Sequence, residues 1–211
     1  PHATEMLEGD YSPLHGEQRT ARSPRTRENA TVLDDTSAEG PAGDDGRFSL
    51  DELADASLGN RGFTARVLLD DVVERCDGAP PVTLEPLVED GDEVLPGGEV
   101  DLARACEVLA GWDGVYDIDR AGPPLWRELL SRYESADLRE AGALFAEPFD
   151  PADPVGTPGV LAPVPQSAEG VDPLLEHLAR AVQVLEVAEL GPDVTLGEVQ
   201  VAVRGDEVVP V

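Results

Sequence analysis

Proline and glycine interrupt this chain so often that it can hold only short segments of regular structure. The 211 residues include 19 Pro and 21 Gly, and both residue types end helices or open turns. Only 4% of the residues are aromatic, so few large side chains are left for an independent core. Between the interruptions, apolar residues recur mostly at helical spacing. The pattern predicts a mainly α chain with many loops.

Local start signals divide the chain into segments. Residues 49–52 form a capping box that begins a helix, and Asp172-Pro173 supplies an N-cap followed by proline at the first helical position. Residues 201–211 hold two valine-rich runs around a Gly-Asp turn, which predicts a short C-terminal β-hairpin. The predicted order is a loop over 1–22, helices over 23–76, a loop over 79–98, helices over 99–135, a Pro/Gly-rich loop over 147–170, and a helix plus hairpin over 172–211.

The charge of the chain excludes several classes of partner. Its 44 acidic and 15 basic residues give a net charge of −29, and every basic residue is Arg. A protein that binds the phosphate backbone of nucleic acids needs a basic face, and an anionic membrane surface would repel this chain. No apolar run approaches the roughly 20 residues that a membrane span needs. We therefore expect neither a nucleic acid nor a membrane as a partner.

The two ends of the chain suggest a piece of a longer protein. The chain begins at Pro1, without the basic and apolar regions of a signal peptide. It ends at Val211 within an apolar, strand-like run. We expect a cut piece, although a natural terminal strand tied into a sheet has the same pattern.

No familiar catalytic or metal-binding motif is present. The three His are scattered and the two Cys are 30 residues apart, so no zinc spacing exists. Gly-x-Ser-x-Gly and Walker motifs are also missing. Asp150 and Asp153, and the three Asp of residues 113–119, could bind calcium by oxygen count but lack the EF-hand order of ligands. We expect solvated turn carboxylates there, no metal and no cofactor.

Two groups of residues remain open to more than one interpretation. Four arginines lie within residues 19–27, and a buried ligand-facing fork competes with surface salt bridges as an explanation. Cys76 and Cys106 each lie on the apolar face of a predicted helix, which is compatible with buried thiols or with a disulfide. The residues alone favour the surface role for the arginines.

Several stretches, taken in order, resemble the β chain of the penicillin-amidase family. The most similar branch contains the acyl-homoserine-lactone acylases and the aculeacin-type acylases of cyclic lipopeptides. The stretches are PHA (1–3), EG (8–9), YSPL (11–14), EQRTARSPRTR (17–27), LAGWDG (109–114), PLWRE (124–128), PFDPADPVGTP (148–158) and LGEVQ (196–200). Their order across nearly all of the chain makes the resemblance fairly specific.

The resemblance implies a fold and a chemistry for the parent protein. Members of this family fold as a four-layer α-β-β-α sandwich and cut themselves into α and β chains. The new N-terminal Ser of the β chain attacks an amide carbonyl, with its own amine as general base, and backbone and Asn donors hold the oxyanion. In the family these groups precede the matching segment. The resemblance therefore implies no catalytic residue in this segment, which we expect to be inactive alone.

The resemblance also singles out residues. The family arginine near the active site, linked to precursor processing and to the pocket, matches Arg22 best and Arg25 as the neighbouring alternative. Family members are exported, which implies a secreted or periplasmic parent and favours a disulfide between Cys76 and Cys106 over two reduced thiols. The implied partners are the remainder of the β chain, the α chain and an acylated small-molecule substrate.

The sequence therefore predicts a single internal segment, residues 1–211, of an acylase β chain. The parent would be an amide hydrolase that removes a fatty-acyl chain from an acyl-homoserine lactone or a cyclic lipopeptide. A stand-alone acidic helical interaction or scaffold module without catalysis is the alternative.

Overall fold

The computed structural model describes residues 12, 14, 19–35, 37, 40–43, 45–165, 172–205 and 207–210. It forms two compact units, one of Pro1–Val67 with Glu134–Ala162 and one of Leu68–Tyr133 with Pro163–Val211. The helices within the described residues are α1 (Pro24–Asp34), α2 (Leu50–Leu58), α3 (Phe63–Cys76), α4 (Ala103–Ala110), α5 (Gly122–Leu130), α6 (Pro173–Val187) and α7 (Leu196–Val199). The strands are β1 (Val82–Leu84), β2 (Leu87–Glu89), β3 (Asp92–Leu95), β4 (Gly98–Val100), β5 (Val201–Arg204) and β6 (Glu207–Pro210).

Helices α2 and α6 begin where the capping residues of the sequence predict. The Ser49 hydroxyl accepts a hydrogen bond from the Glu52 amide at 3.3 Å, and the Glu52 carboxylate accepts one from the Ser49 amide at 2.7 Å. Asp172 caps α6 by accepting from the Leu174 amide at 3.0 Å. These bonds satisfy amides that the first helical turn leaves without partners.

The loop predicted over residues 79–98 is wrong in part, because this stretch contains β1, β2, β3 and the start of β4. β1 pairs with β4 and β2 pairs with β3, both antiparallel. Asp90 and Gly91 join β2 to β3 with positive φ angles of 52° and 94°. An Asp-Gly pair with two positive φ angles is typical of the tight hairpin turn that matches strand twist. The prolines separate these short strands rather than preventing them.

The helices predicted over residues 99–135 are shorter than expected. Residue 99 belongs to β4, and α4 begins only at Ala103, because Glu99 pairs with Thr83 across the ladder. At its other end α5 stops at Leu130, and the amide of Tyr133 bonds the carbonyl of Leu130 at 3.2 Å. Such i to i−3 bonds tighten the chain out of the α-helix.

An apolar core fills the second unit, where α6 packs against α5 and against β1. Trp126 of α5 and Leu178 of α6 are completely buried. Gln183 of α6 also donates a hydrogen bond to the Pro96 carbonyl at 2.8 Å, which joins the helix to the strand-rich segment. Hydrophobic burial is the main stabilising contribution in such a core.

The predicted C-terminal hairpin is confirmed, because β5 pairs antiparallel with β6 and Val203 lies opposite Val208. The architecture is mixed: seven helices and three two-stranded ladders lie within the described ranges. The loop predicted over 1–22 falls mostly outside the described residues, as does part of the Pro/Gly-rich loop at 166–170. No described helix has the length and apolarity to cross a membrane.

Candidate functional site

The arginine-rich segment runs into the start of α1 in the first unit. The Ser23 hydroxyl accepts from the Thr26 amide at 3.3 Å, and Pro24 follows at the first helical position. The first turn of α1 thus carries Arg25 and Arg27, with no acidic residue. Cations at a helix N-terminus are unfavourable for the helix dipole, so helix stability does not account for these arginines.

Burial separates the members of this segment sharply. Arg27 is completely buried and Arg22 is 1% exposed, whereas Arg25 is exposed. Charged side chains are almost never fully buried unless their polar atoms have partners. Two buried arginines in one short segment are therefore unusual, and their surroundings need explanation.

Arg27 donates hydrogen bonds to three backbone carbonyls of the loop that follows residue 147. Its Nε reaches the Val155 carbonyl at 2.8 Å, its Nη2 reaches Gly156 at 2.8 Å, and its Nη1 reaches Pro158 at 2.7 Å. The planar guanidinium presents its donors in a rigid fork, which suits several acceptors in one geometry. Arg27 thus connects α1 with residues more than a hundred positions later in the chain.

The aromatic ring of Phe63 completes the surroundings of Arg27. The Arg27 guanidinium carbon lies 3.9 Å from the centroid of this ring, and that of Arg66 lies 5.0 Å from it. Burial, and then the positive charge of Arg66, lower the pKa of Arg27 to about 10. Arg27 stays protonated at neutral pH, and its buried charge is held by carbonyl dipoles and a ring face.

The loop bound by Arg27 is organised by its own side chains. Asp150 donates its amide to the Thr157 hydroxyl at 2.8 Å, and that hydroxyl donates to the Asp153 carbonyl at 2.7 Å. Asp153 also accepts from the Gly156 amide at 2.9 Å. The Asp150 carboxylate likewise accepts from the Ala152 amide at 2.8 Å, so both carboxylates of this loop serve as turn acceptors. Three metal-ligating side chains do not come together anywhere in the described part of the chain.

A pocket of about 130 Å³ lies where this loop meets the arginine segment. Arg19, Arg22, Phe149 and Pro151 line it, so the lining includes two arginines, an aromatic residue and a proline. Such a lining combines positive charge with apolar surface, which suits an anionic or strongly polar group attached to an apolar one.

The structure brings together some of the arginines that the sequence singled out. Arg22 lines the pocket, whereas Arg25 is exposed and is not among the pocket residues. Sequence reasoning placed Arg27 in the cluster but gave it no role of its own. The spacing was the available sequence signal: Arg27 lies three residues before the apolar Ala30, so both fall on the same side of α1. The structure shows that both are buried.

The two cysteines lie in the second unit and are joined by a disulfide. Cys76 ends α3, and Cys106 lies in α4. Their Cα atoms are 5.7 Å apart, within the usual range of about 4.4–6.8 Å. The Cys76–Cys106 disulfide, which was expected because family members are exported, is therefore present in the structure.

Comparison with known protein families decides the relationship of the chain. A family model described as penicillin amidase matches residues 3–207. The chain belongs to the penicillin amidase family. In this penicillin amidase family member, the matched range includes the arginine segment, the loop bound by Arg27 and both cysteines.

A curated relative narrows the comparison. Aculeacin-A acylase from Actinoplanes utahensis is 33% identical over 153 residues, which is 72% of this chain. The chain spans only 17% of the length of that relative. The similarity therefore concerns one segment of a much longer family member.

Proposed function

We propose that this chain is a segment of the β chain of an acylase, an amide hydrolase that removes a fatty-acyl chain from a cyclic lipopeptide or an acyl-homoserine lactone. The family match over residues 3–207 carries this proposal. The similarity to an enzyme named as an aculeacin-A acylase supports it further. The parent acts through an N-terminal Ser and an oxyanion hole outside this segment, so the 211-residue chain is inactive alone.

Within this proposal, Arg22 is the pocket residue of the segment. Its guanidinium is nearly completely buried and shares a pocket with Phe149 and Pro151. A rigid guanidinium fork is suited to hold carbonyl groups or a carboxylate in one orientation. Arg22 orders the active-site pocket of the mature enzyme and the chain around the processing site of its precursor.

The same proposal covers the surroundings of the segment. Its helices cover β-layers of an α-β-β-α sandwich, which the remainder of the β chain and the α chain complete. The parent is secreted or periplasmic, where the disulfide between Cys76 and Cys106 is chemically stable. These statements rest on the family relationship.

The test compares the longer protein encoded with this segment against the 211-residue chain alone. Each would be incubated with an aculeacin-type lipopeptide and with a long-chain acyl-homoserine lactone, and released fatty acid would be quantified. We expect release and conversion into two chains for the longer protein, and no release above a boiled control for the segment. Fatty-acid release by the segment alone would overturn the fragment hypothesis.

Substitutions in the longer protein then test the site. Arg22→Lys keeps the charge and removes the fork, so we expect slower precursor processing or a lower kcat/KM. The same change at Arg25 shows which of the two arginines takes that role. Arg61→Lys is the matched control, because Arg61 is an exposed arginine of the same unit. An Arg22→Lys enzyme indistinguishable from the Arg61→Lys enzyme would remove Arg22 from the site.

A further inference from the structure

Among the described residues of the first unit, Arg27 is the most completely buried charged residue, yet it does not line the pocket that contains Arg22. Its three hydrogen bonds all go to backbone carbonyls of residues 155–158. Backbone carbonyls carry no information about side-chain identity, so this contact sets the position of the loop rather than recognising a ligand.

The loop transmits the position of residues 155–158 to the wall of the pocket. Thr157 lies between two carbonyls that Arg27 holds, and its hydroxyl accepts from the Asp150 amide at 2.8 Å. Asp150 stands between Phe149 and Pro151, the two loop residues that line the pocket. A second tie joins the start and end of the loop, because the Gly159 amide donates to the Glu147 carboxylate at 2.6 Å.

We propose that Arg27 is a positioning residue for the Arg22 pocket: it holds residues 155–158, and through Thr157 it keeps Phe149 and Pro151 against Arg22. The catalytic meaning of this inference rests on the proposed acylase function, whereas its structural content does not. Arg27 itself does not touch the substrate.

The guanidinium is the required group at this position for a geometric reason. Three carbonyls are reached by three different nitrogen atoms at 2.7–2.8 Å, which a single ammonium nitrogen cannot reproduce. Lysine would keep the charge but would release at least part of the loop. Arg27→Lys is therefore the informative variant, and Arg66→Lys is its matched control. Arg66 also lies over the Phe63 ring, but its hydrogen bonds go to Glu28 and Thr31.

The first experiment measures the accessibility of Arg22 in the longer protein, independently of activity. Phenylglyoxal modifies accessible arginines, and peptide mass spectrometry gives the rate at each one. Exposed Arg25 serves as the internal reference for the reagent. We expect Arg22 to be protected in the wild type and in Arg66→Lys. In Arg27→Lys, Arg22 should react at least about tenfold faster relative to Arg25, because the loop wall opens locally.

The second experiment separates positioning from a general structural role. With an acylated substrate, we expect Arg27→Lys to raise KM about tenfold while kcat stays within about twofold, since the pocket wall and not the reacting groups has moved. If Arg27→Lys lowered kcat and kcat/KM by the same factor and left KM unchanged, the result would contradict a positioning role. If the wild-type protein shows no acylase activity, the proposed function fails, and Arg22 reactivity still decides the inference.

A second variant covers the case in which Arg27→Lys does not fold. Thr157→Val removes the hydroxyl that connects the Arg27-bound carbonyls to Asp150, and it leaves Arg27 unchanged. We expect Arg22 to gain phenylglyoxal reactivity in this variant too. Continued protection of Arg22 in Thr157→Val, or in a folded Arg27→Lys protein, would overturn the inference.

Discussion

The two units of this chain bury different kinds of side chain. The second unit buries Trp126 and Leu178 in an apolar core and adds a disulfide. The first unit also buries apolar side chains such as Phe145, but it encloses two arginines, Arg22 and Arg27, as well. Apolar burial depends on area and volume and has no preferred direction, whereas a guanidinium fork requires acceptors at defined places.

This difference shows where stability and geometry are set. At Trp126 or Leu178, a substitution matters by the side-chain volume that it removes. At Arg27, it matters by the carbonyl acceptors that it leaves without a donor.

Trp126→Ala should destabilise the second unit most. Trp126 is completely buried, and its ring lies 5.8 Å from that of Trp112. Truncating a buried Trp to Ala typically costs about 3–5 kcal/mol, through lost burial and the cavity left behind. Urea denaturation followed by Trp112 fluorescence measures this change. Val187→Ala on the exposed side of α6 is the control and should change stability by less than about 0.5 kcal/mol.

Removal of the disulfide should rank next. Replacing Cys76 and Cys106 together by Ser releases a loop with a sequence separation of 30 residues. In the chain-entropy model this costs about 3–4 kcal/mol. Denaturation of the double variant beside the oxidised wild type gives the difference, and alkylation mass spectrometry verifies the oxidation state. Equal midpoints for the two proteins would show that the bridge does not constrain the unfolded chain.

Arg27→Met should lower the free energy of unfolding less than Trp126→Ala or loss of the disulfide does. Its effect should be confined to the loop that Arg27 binds. The carbonyl of Pro158 is in a buried hydrogen bond, whereas those of Val155 and Gly156 are only partly buried and can be hydrated. One buried acceptor left without a donor costs about 1–3 kcal/mol. Hydrogen exchange should show faster exchange of the Gly156 and Gly159 amides.

The matched control for this variant is Arg66→Met. Arg66 forms an ion pair with Glu28 at 3.1 Å in which Arg66 is 39% exposed. Exposed pairs contribute about 0–1 kcal/mol. If Arg66→Met accelerated loop exchange as much as Arg27→Met does, the carbonyl contacts would not be the cause.

Acidification should change stability least, and it should act in the same way on α2 of the first unit and α7 of the second. Hydrogen bonds from Ser49 and Thr195 lower the pKa of Glu52 and of Glu198 below the usual 4.5. Because these pKa values are depressed in the folded state, their stabilising contribution is present above the unfolded pKa. It is lost as pH falls below 4.5 through the folded pKa.

The measurement is amide exchange in the first turns of α2 and α7 at neutral and at acidic pH. We expect protection in both turns to fall below pH 4.5. Ser49→Ala should cost about 1 kcal/mol. It should reduce the acid response of α2, whose Glu52 keeps only the bond from the backbone amide of residue 49, and leave that of α7 unchanged. An unchanged acid response of α2 in Ser49→Ala would show that another group titrates there.

Several features were predictable because their causes are local in sequence. Ser49 and Asp172 indicate helix starts, since a capping side chain accepts a hydrogen bond from an amide only two or three residues away. The β2–β3 hairpin was also readable in principle from Asp90-Gly91, but the neighbouring prolines suggested a loop. The resemblance pointed to Arg22, which lines the pocket of about 130 Å³, and its role at the active site stays a prediction.

Local sequence signals are sufficient to predict the starts of α2 and α6, and the sequence also shows that the chain is strongly acidic and resembles the penicillin amidase family. That Arg27 is buried and Arg25 exposed follows from the three-dimensional fold, because it depends on carbonyls 128 to 131 residues away. It also decided that residues 98–100 extend along β1 instead of beginning a helix. Local patterns describe contacts within a few residues, whereas long-range pairing is settled by which arrangement satisfies the buried polar groups.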